Sequence, residues 1–375
     1  MNSPDASLVL QELFYDVTRR MVTPPEPLAT DRWVASSALQ NAIRRGESAT
    51  ALRAGFTYFS LDRAGFWRRL AIIAAEDVGC ADGRLVSWVT LVSVAPSWRV
   101  SAGGDWQVAA WFIEGLCQAL KERGMPALYQ AALSHPDLSD ACLELGHASD
   151  QELVLRCIDR ATPLPVRAIA AWYLCGTIGL KDTRLALRAA SPAGLAAAFT
   201  ALDVPSYLRE ASLGLGPKGR YVLAAFVPLL WRELESASAW ATRTDELGAS
   251  PRIRGVPLYA LDKHTSRGKQ AIAALGVHLR GAGSTAARFL HTAAAERALE
   301  LAVFHAEGAR LRNHLLWDRT AELSTLELEA NCAAIGAEVA AMRSLIEEVR
   351  AHQGILDEIR ATLLTHCTSV LSDAR

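Results

Sequence analysis

The stretch "FWRRLAIIAAEDVGCAD", residues 66–82, sets the helical character of the chain. Its apolar residues recur at three- and four-residue intervals, the spacing of one stripe on a helix: Phe66, Leu70 and Ile73. Two adjacent acids, Glu76 and Asp77, end this stripe. Acids at a helix C-terminus face the negative end of the helix dipole, which costs about 0.3–1 kcal/mol each. They therefore need a partner, such as a substrate, a metal ion or a basic side chain.

Local signals favour a joint between helices over a catalytic pair or a metal site. Gly79 suits the left-handed position that ends a helix, and Asp82 can cap the next helix, "GRLVSWVTL". Basic side chains that end the preceding "AIRRG" helix can neutralise the acids. A half-buried acid–arginine joint fixes geometry more than it adds stability. The predicted joint consists of Arg44, Arg45, Arg69, Glu76, Asp77 and Gly79.

Helix signals continue through the rest of the chain. Ala, Leu, Arg and Glu are abundant, alternating β-branched runs are nearly absent, and Gly and Pro cluster between the helical segments. We predict an all-α fold, a multi-helix array of antiparallel helix hairpins. Breakers such as "TPPEP" and "GASPRIRGVP" predict four parts: 1–32, an N-terminal helix and proline-rich lead-in; 33–125; a central helical domain, 126–250; and a C-terminal helical domain, 251–375.

The last helix is predicted from apolar residues at helical spacing, interrupted at Gly354. They are Ile335, Val339, Met342, Ile346 and Val349, followed by Ile355, Ile359 and Leu363. The pattern fits a packing helix or an oligomerisation helix, and it is too short for a coiled coil.

Composition narrows the function. The formal net charge is −1, which argues against a general nucleic-acid coat but not against a local basic patch. The seven cysteines are scattered without a C-x-x-C pair, as in a reducing cytoplasm. The N-terminus lacks the basic region of a signal peptide, and the longest apolar runs fall short of the ~20 residues that span a membrane. We therefore expect a cytoplasmic protein without membrane contact.

No recognisable catalytic motif is present. The nearest glycine-rich stretch, "GLGPKGR" (214–220), lacks the Ser or Thr of a P-loop and reads as a helix–helix turn. His291, His305 and His314 form a loose cluster, but the first two lie about 20 Å apart on a continuous helix, too far to share a metal. We predict no cofactor, no metal and no catalytic residues.

The sharpest further feature is the basic segment "RIRGVPLYALDKHTSRGK", residues 252–269. It contains a predicted helix start that Asp262 or Thr265 can cap, and a helix N-terminus ringed by cations is a plausible phosphate site. The predicted nucleic-acid or anion-binding residues are Arg252, Arg254, Lys263, His264, Arg267 and Lys269. The alternative is a solvated basic turn that pairs with acids of the C-terminal helices: Glu327, Glu329, Glu347 and Glu348.

Two blocks of the first part resemble one family. "SSALQNAIRRGESATAL" (36–52) followed by "FWRRLAIIAAEDVGCAD" (66–82) is similar to the helical C-terminal region of the replication-associated recombination AAA+ ATPases, which include the Werner helicase-interacting protein. The resemblance implies a clamp-loader-collar-like fold for 33–125, self-association, and work beside DNA-processing machinery. The ATPase module of that family has no counterpart here, so the joint residues carry over only as a structural signature.

Taken together, the sequence leads us to expect a non-enzymatic helical protein of DNA replication, recombination or repair. It would form a homo-oligomer and contact DNA, a AAA+ ATPase or another DNA-processing protein. One alternative is a protein–protein adaptor or regulator, such as a defence-related one, with no DNA contact. The other is an all-α enzyme with an unrecognised site near Asp262, Lys263, His264 and Glu307.

Overall fold

The computed structural model describes residues 4–178, 180, 183–219, 223–281 and 294–366. These residues form helices joined by short connections and four strands of two to five residues, so the prediction of an all-α fold is confirmed. They divide into two compact units, each built from three stretches of chain. The first unit comprises Met1–Val22, Trp67–Arg243 and Asn313–Asn331; the second comprises Thr23–Phe66, Thr244–Arg312 and Cys332–Arg375.

The elements follow one another with few long gaps. The helices of the first half are α1 (Pro4–Thr18), α2 (Arg32–Arg44), α3 (Ser48–Leu61), α4 (Arg63–Ile73), α5 (Gly83–Ser93), α6 (Pro96–Ser101), α7 (Asp105–Gln118), α8 (Gly124–Ser134), α9 (Ser139–His147), α10 (Asp150–Ile158) and α11 (Leu164–Cys175). The remaining elements are α12 (Pro192–Ala201), α13 (Ser206–Gly219), α14 (Leu223–Glu235), β1 (Trp240–Thr244), β2 (Arg252–Ile253), β3 (Val256–Pro257), α15 (Ser266–Gly281), α16 (Ala295–Val303), β4 (Asn313–Trp317), α17 (Thr320–Ile335), α18 (Val339–Ala351) and α19 (Gln353–His366).

Helix α11 forms the centre of the first unit. Every residue from Arg167 to Cys175 is buried, because this helix is apolar on nearly all sides and contacts α8, α9, α10, α12 and α14. Trp172 is fully buried; its ring stacks on Tyr129 at a centroid distance of 5.1 Å and meets the edge of Phe226 at 5.7 Å. Such ring pairs contribute about 0.5–1.5 kcal/mol each beyond the area that they bury.

The second unit is organised around the α2–α3 hairpin. Arg32 at the start of α2 pairs with Asp62 just after α3, with 3.6 Å between Nη1 and Oδ2. This pairing makes the two helices antiparallel, as predicted. In the rest of the unit, α15 packs against α16 and α19, and α16 packs against α18. The hairpin of β2 and β3 follows the long connection from the first unit, and it begins the predicted basic segment.

The C-terminal region differs from the predicted single helix. Helix α17 ends at Ile335, and Gly336 has a φ of +68°, a value that suits glycine and breaks the helix there. The second break falls at His352 rather than at Gly354, which lies inside α19. Helix α18 buries Met342, Leu345, Ile346 and Val349 against its own unit, so these positions are packing positions.

The predicted turn at "GLGPKGR" is also corrected in part. Helix α13 continues through this stretch to Gly219, and Arg220 lies outside the described residues. The helix includes three glycines and a proline of this stretch, although these residues have low intrinsic helix propensity.

Candidate nucleic-acid interface

The β2–β3 hairpin presents Arg254 at its tip. The strands pair Arg252 with Pro257 and Ile253 with Val256, which leaves Arg254 and Gly255 as the two turn residues. Their φ angles are +53° and +81°, the pattern of a type I′ turn. Such turns favour Asn, Asp or Gly at both positions, and an arginine there carries about 1–2 kcal/mol of backbone strain. The Arg254 side chain is exposed and makes no ion pair with any described residue.

Arg252, two residues earlier, is held at the hairpin by Glu47. Its Nη2 lies 2.7 Å from Thr50 Oγ1 and 3.3 Å from Glu47 Oε2. The same carboxylate accepts hydrogen bonds from Arg45 Nε and from the Tyr259 hydroxyl, each at 2.8 Å. Burial, reinforced by the charge of Glu47, raises the pKa of Tyr259, so its hydroxyl remains a donor. Glu47 thus already has three donors.

Arg53, on α3, completes this group although sequence reasoning missed it. A Cβ added to Gly255 would lie 3.0 Å from Arg53 Nη1, which places this guanidinium directly against the hairpin turn. Arg53 Nε donates to the carbonyl of Glu26, whose carboxylate is 4.0 Å from Nη2. We call Arg53, Arg252 and Arg254 the arginine edge. Counting Arg45, four arginines lie at this hairpin, and three of them pair with the two carboxylates of Glu26 and Glu47, so positive charge exceeds negative charge locally.

The predicted residues at the start of α15 are engaged within the protein. Thr265 caps this helix, with its Oγ1 accepting from Gly268 N at 3.0 Å, and this confirms one of the two predicted caps. Asp262 accepts from His264 N at 2.8 Å and from Ser37 Oγ at 2.7 Å. The cap and its neighbours therefore already satisfy part of the helix N-terminus that was predicted to hold an anion.

The basic side chains of this helix start have different surroundings. The Lys263 ammonium lies 4.2 Å from the centroid of Phe304, and Lys269 Nζ is 4.0 Å from Glu300. Arg267 is half-buried, whereas His264 and Lys269 are exposed. The described ion pairs of the basic segment thus go to Glu47 and Glu300 of the same unit.

The two acids of the alternative enzyme site, Asp262 and Glu307, have different partners. The Asp262 carboxylate is occupied as described above. Glu307 lies in a π-helical turn, Phe304–Gly308, where it pairs with the buried Arg360 at 2.8 Å and accepts from Gln353 at 3.0 Å. Arg360 Nε also donates to the carbonyl of Leu261 at 3.1 Å. These contacts tie α19 to the middle of the basic segment, and both Asp262 and Glu307 take part in contacts within the second unit.

In the first unit, Glu76 and Asp77 lie in a second π-helical turn, Ala74–Val78, at the end of α4. Asp77 is fully buried, and its Oδ1 accepts from Arg123 Nη1 at 2.8 Å. Arg123 also pairs with Glu327 at 3.2 Å. Arg123 is thus the described arginine partner of Asp77, whereas the sequence analysis had assigned that role to Arg44 and Arg45.

The other predicted joint residues are distributed over both units. Gly79 has the positive φ of the predicted left-handed position, +56°, but its ψ of −135° differs from that conformation; Asp82 caps α5 by accepting from Leu85 N at 2.9 Å. Arg44 Nη1 donates to the carbonyl of Gly308 at 2.7 Å, and Arg45 binds Glu47, both within the second unit. Arg69 is half-buried on α4.

Three consecutive charged residues, Lys121–Glu122–Arg123, are almost completely buried beside this turn. Lys121 Nζ donates to the carbonyls of Leu116 at 2.7 Å and Ala119 at 2.6 Å, which caps the end of α7. Burial is the largest cause that lowers the pKa of Lys121, to about 8. A run of consecutive charged residues normally predicts a solvent-exposed segment. The sequence analysis therefore did not identify this buried group.

Glu122 lies at the centre of this group. It accepts hydrogen bonds from Gly124 N at 2.9 Å and from Cys80 Sγ and Trp317 Nε1, each at 3.3 Å. Burial raises the pKa of Glu122, and the hydrogen bonds oppose that rise. Its main-chain N–H donates to the carbonyl of Asp77 at 3.1 Å, which links it to the π turn. Glu122 thus connects Cys80, Trp317 and the π turn within the first unit.

Within the ranges given above, no group of three or more His, Cys, Asp or Glu side chains is placed to hold a metal ion. No helix among the described residues is both long and apolar enough to cross a bilayer. The six described cysteines are buried thiols, while Cys367 and His291 lie outside the described residues.

Comparison with family models, with curated proteins and with solved structures gives no match for this chain. The resemblance of residues 36–52 and 66–82 to the recombination ATPases therefore stays a prediction, and the arginine edge is the best-defined candidate interface.

Proposed function

We propose that this is a non-enzymatic helical protein of DNA replication, recombination or repair whose arginine edge contacts the phosphate backbone. The observation that carries the proposal is Arg254. An exposed arginine without a described ion pair occupies a strained turn position where Asn or Gly would be more stable. Strain of this kind is retained where the side chain serves a purpose other than folding. Phosphate oxygens are the partners that a guanidinium fits best.

The rest of the edge supports the same partner. Arg252 lies on the strand before the turn and the Arg53 guanidinium lies against Gly255, while Glu47, the acid that pairs with Arg252, already accepts from Arg45 and Tyr259. Each phosphate that the edge neutralises releases counterions, so binding should weaken as salt rises. The slope of log K against log salt changes by about 0.9 per contact on duplex DNA and about 0.7 on single strands.

Arg254→Gly tests the proposal without the risk of misfolding. Glycine removes the strain of the left-handed turn, so we expect a protein more stable by about 0.5–1 kcal/mol in urea unfolding. The same variant should bind fluorescent duplex, forked or single-stranded DNA more weakly in anisotropy titrations, with a smaller salt slope. Arg343→Ala, at an exposed arginine on α18 of the same unit, is the matched control and should bind like wild type.

A variant that is stabilised but binds every DNA as tightly as wild type would remove the arginine edge from the proposal. The alanine triple of Lys263, Arg267 and Lys269 then shows whether the start of α15 supplies the contact instead. If neither variant changes binding, Arg254 and the start of α15 have no role in it.

The family resemblance contributes the partners and the setting of the proposal. It adds a homo-oligomer that docks on a AAA+ ATPase or another DNA-processing protein, and the scattered cysteines support a cytoplasmic location. Light scattering of the purified chain measures the oligomer, and co-purification with the AAA+ ATPase of the same cell measures the docking. A monomer that retains no such ATPase would limit the proposal to DNA contact.

A protein–protein adaptor without DNA contact is the second candidate. It is favoured by exposed leucines on neighbouring helices of the first unit: Leu143 on α9 and Leu155 on α10, at 63% and 55% exposure. Leu155 also lines a groove between these helices. Wild-type protein that binds no DNA at low salt, but loses a co-purifying partner on Leu155→Glu, would favour this candidate.

A further inference from the structure

Trp33, in the first turn of α2, is unusually exposed for a tryptophan of this chain. Its exposure is 58%, whereas Trp67, Trp106 and Trp172 are all buried. Trp240 of the first unit, at 65%, has comparable exposure. An exposed indole gains nothing from the hydrophobic effect and is typical of surfaces that bind a partner.

The backbone and the ring of Trp33 are both fixed before any ligand arrives. Asp31 caps α2, accepting from Trp33 N at 2.9 Å and from Val34 N at 3.0 Å. Arg32 lies over the indole, 4.6 Å from the ring centroid, and its guanidinium is held by Asp62. Asp62 in turn accepts from Gly65 N at 2.8 Å. A fixed ring loses little conformational entropy when a second planar group stacks on it.

A line of contacts along α3 joins Trp33 to the arginine edge within the second unit. The lead-in to α2 runs beside α3: the Glu26 carbonyl accepts from Arg53, and Leu28 N donates to Thr57 Oγ1 at 2.8 Å. The lead-in then reaches Trp33 near the end of α3, where Arg32 meets Asp62. Eight residues of helix separate Arg53 from Leu61, or about 12 Å. A strand of a few nucleotides spans that distance.

We propose that Trp33, backed by Arg32, stacks on an unpaired base of single-stranded nucleic acid whose phosphates contact the arginine edge. This inference rests on the proposed function and narrows its ligand. Duplex bases are stacked on one another and cannot reach the indole, so the pair of features fits single strands. Stacking tolerates any base because every base offers a π face, and cation–π contact with arginine strengthens it.

The test uses the full chain and two fluorescent strands of equal length and charge, oligo(dT) and an abasic strand. Trp33→Ala should weaken oligo(dT) binding about tenfold and leave binding of the abasic strand unchanged. Trp33→Phe should retain most of the affinity, since a phenyl ring still stacks. Trp240→Ala is the control, because Trp240 is exposed to a similar extent as Trp33, and this variant should bind both strands like wild type. Arg254→Gly should weaken both strands together.

Two results would overturn the stacking proposal while leaving DNA contact intact. They are equal binding of both strands by wild type, and a Trp33→Ala effect of the same size on both. Binding of neither strand by wild type would overturn the proposed function and, with it, this inference. Thermal unfolding of each variant confirms that an affinity change is not a loss of fold.

Discussion

Gly79 lies at the residue position where the helix containing Glu76 and Asp77 ends. Its φ of +56° is joined to a ψ of −135°, a backbone conformation that residues with a Cβ avoid. A Cβ at this position would approach the main-chain carbonyl oxygen of Glu122 to 2.7 Å. Glycine is therefore required twice, for backbone conformation and for space.

Gly79→Ala should lower the free energy of unfolding by at least about 2 kcal/mol, measured by urea denaturation. The matched control is Gly354→Ala, where an added Cβ meets nothing within 4 Å inside α19. That substitution should be neutral or stabilising by up to about 1 kcal/mol, because alanine has the higher helix propensity. Equal effects of the two changes would contradict the requirement at position 79.

Local signals predicted several single residues well. The caps by Asp82 and Thr265 follow from contacts within three residues of each position, so the sequence carries them. The strained turn at Arg254 was missed, because arginine is a poor residue for a type I′ turn and the sequence offered no Asn-Gly signal. The partner of Asp77 was missed because it lies 46 residues away.

At the scale of elements, π-helical turns account for much of what periodicity did not predict. Residues 74–78 and Phe304–Gly308 each widen the end of a helix, and a π turn inserts one residue into the pattern. One residue rotates whatever follows by about 100° around the helix axis. Glu76, Asp77 and Glu307 therefore do not point where a continuous α-helix would direct them.

The Asp77–Arg123–Glu327 group holds the α4 turn, the start of α8 and α17 together within the first unit. Arg123→Met would leave the fully buried Asp77 without this arginine, which should cost about 3–5 kcal/mol in urea unfolding. The exposed pair Arg156–Glu144 is the control, since Arg156→Met should change stability by less than about 1 kcal/mol.

A double variant separates the ion pair from its surroundings. Adding Asp77→Asn to Arg123→Met removes the uncompensated charge, so the pair of changes should cost less than the sum of the single changes. Strict additivity would mean that Asp77 and Arg123 do not depend on one another.

At the scale of the whole molecule, buried thiols make stability sensitive to alkali. Burial raises the pKa of Cys157 and of Cys175 to about 12, above the ordinary value of 9.0. Between these values the unfolded chain has lost protons that the folded chain keeps, so stability falls as pH rises. The slope is about 1.4 kcal/mol per pH unit for each thiol. Lys121 has the opposite effect on the pH dependence: its pKa is lowered to about 8, so stability rises with pH above that value. The effect of the two thiols is larger than the effect of this one amine.

Urea unfolding at pH 9.0 and pH 11.0 measures this effect, with reductant present. We expect a clear loss of stability at the higher pH, and we expect Cys157→Ala to reduce that loss although it lowers stability at both values. A pH dependence unchanged by removal of Cys157 would contradict the assignment to this thiol.

The sequence by itself determined what depends on near neighbours: the helices, most of their ends, the caps, and a basic segment with positive charge to spare. Helical periodicity and capping involve residues only a few positions apart, so both can be recognised from the sequence. Only the tertiary structure decided which charges meet. It joined Asp77 to Arg123 and Glu327, buried Lys121 and Glu122, and brought Arg53 to the hairpin of Arg252 and Arg254. The physical reason is that ion pairs and buried networks are set by distances in space between residues that are far apart in the sequence.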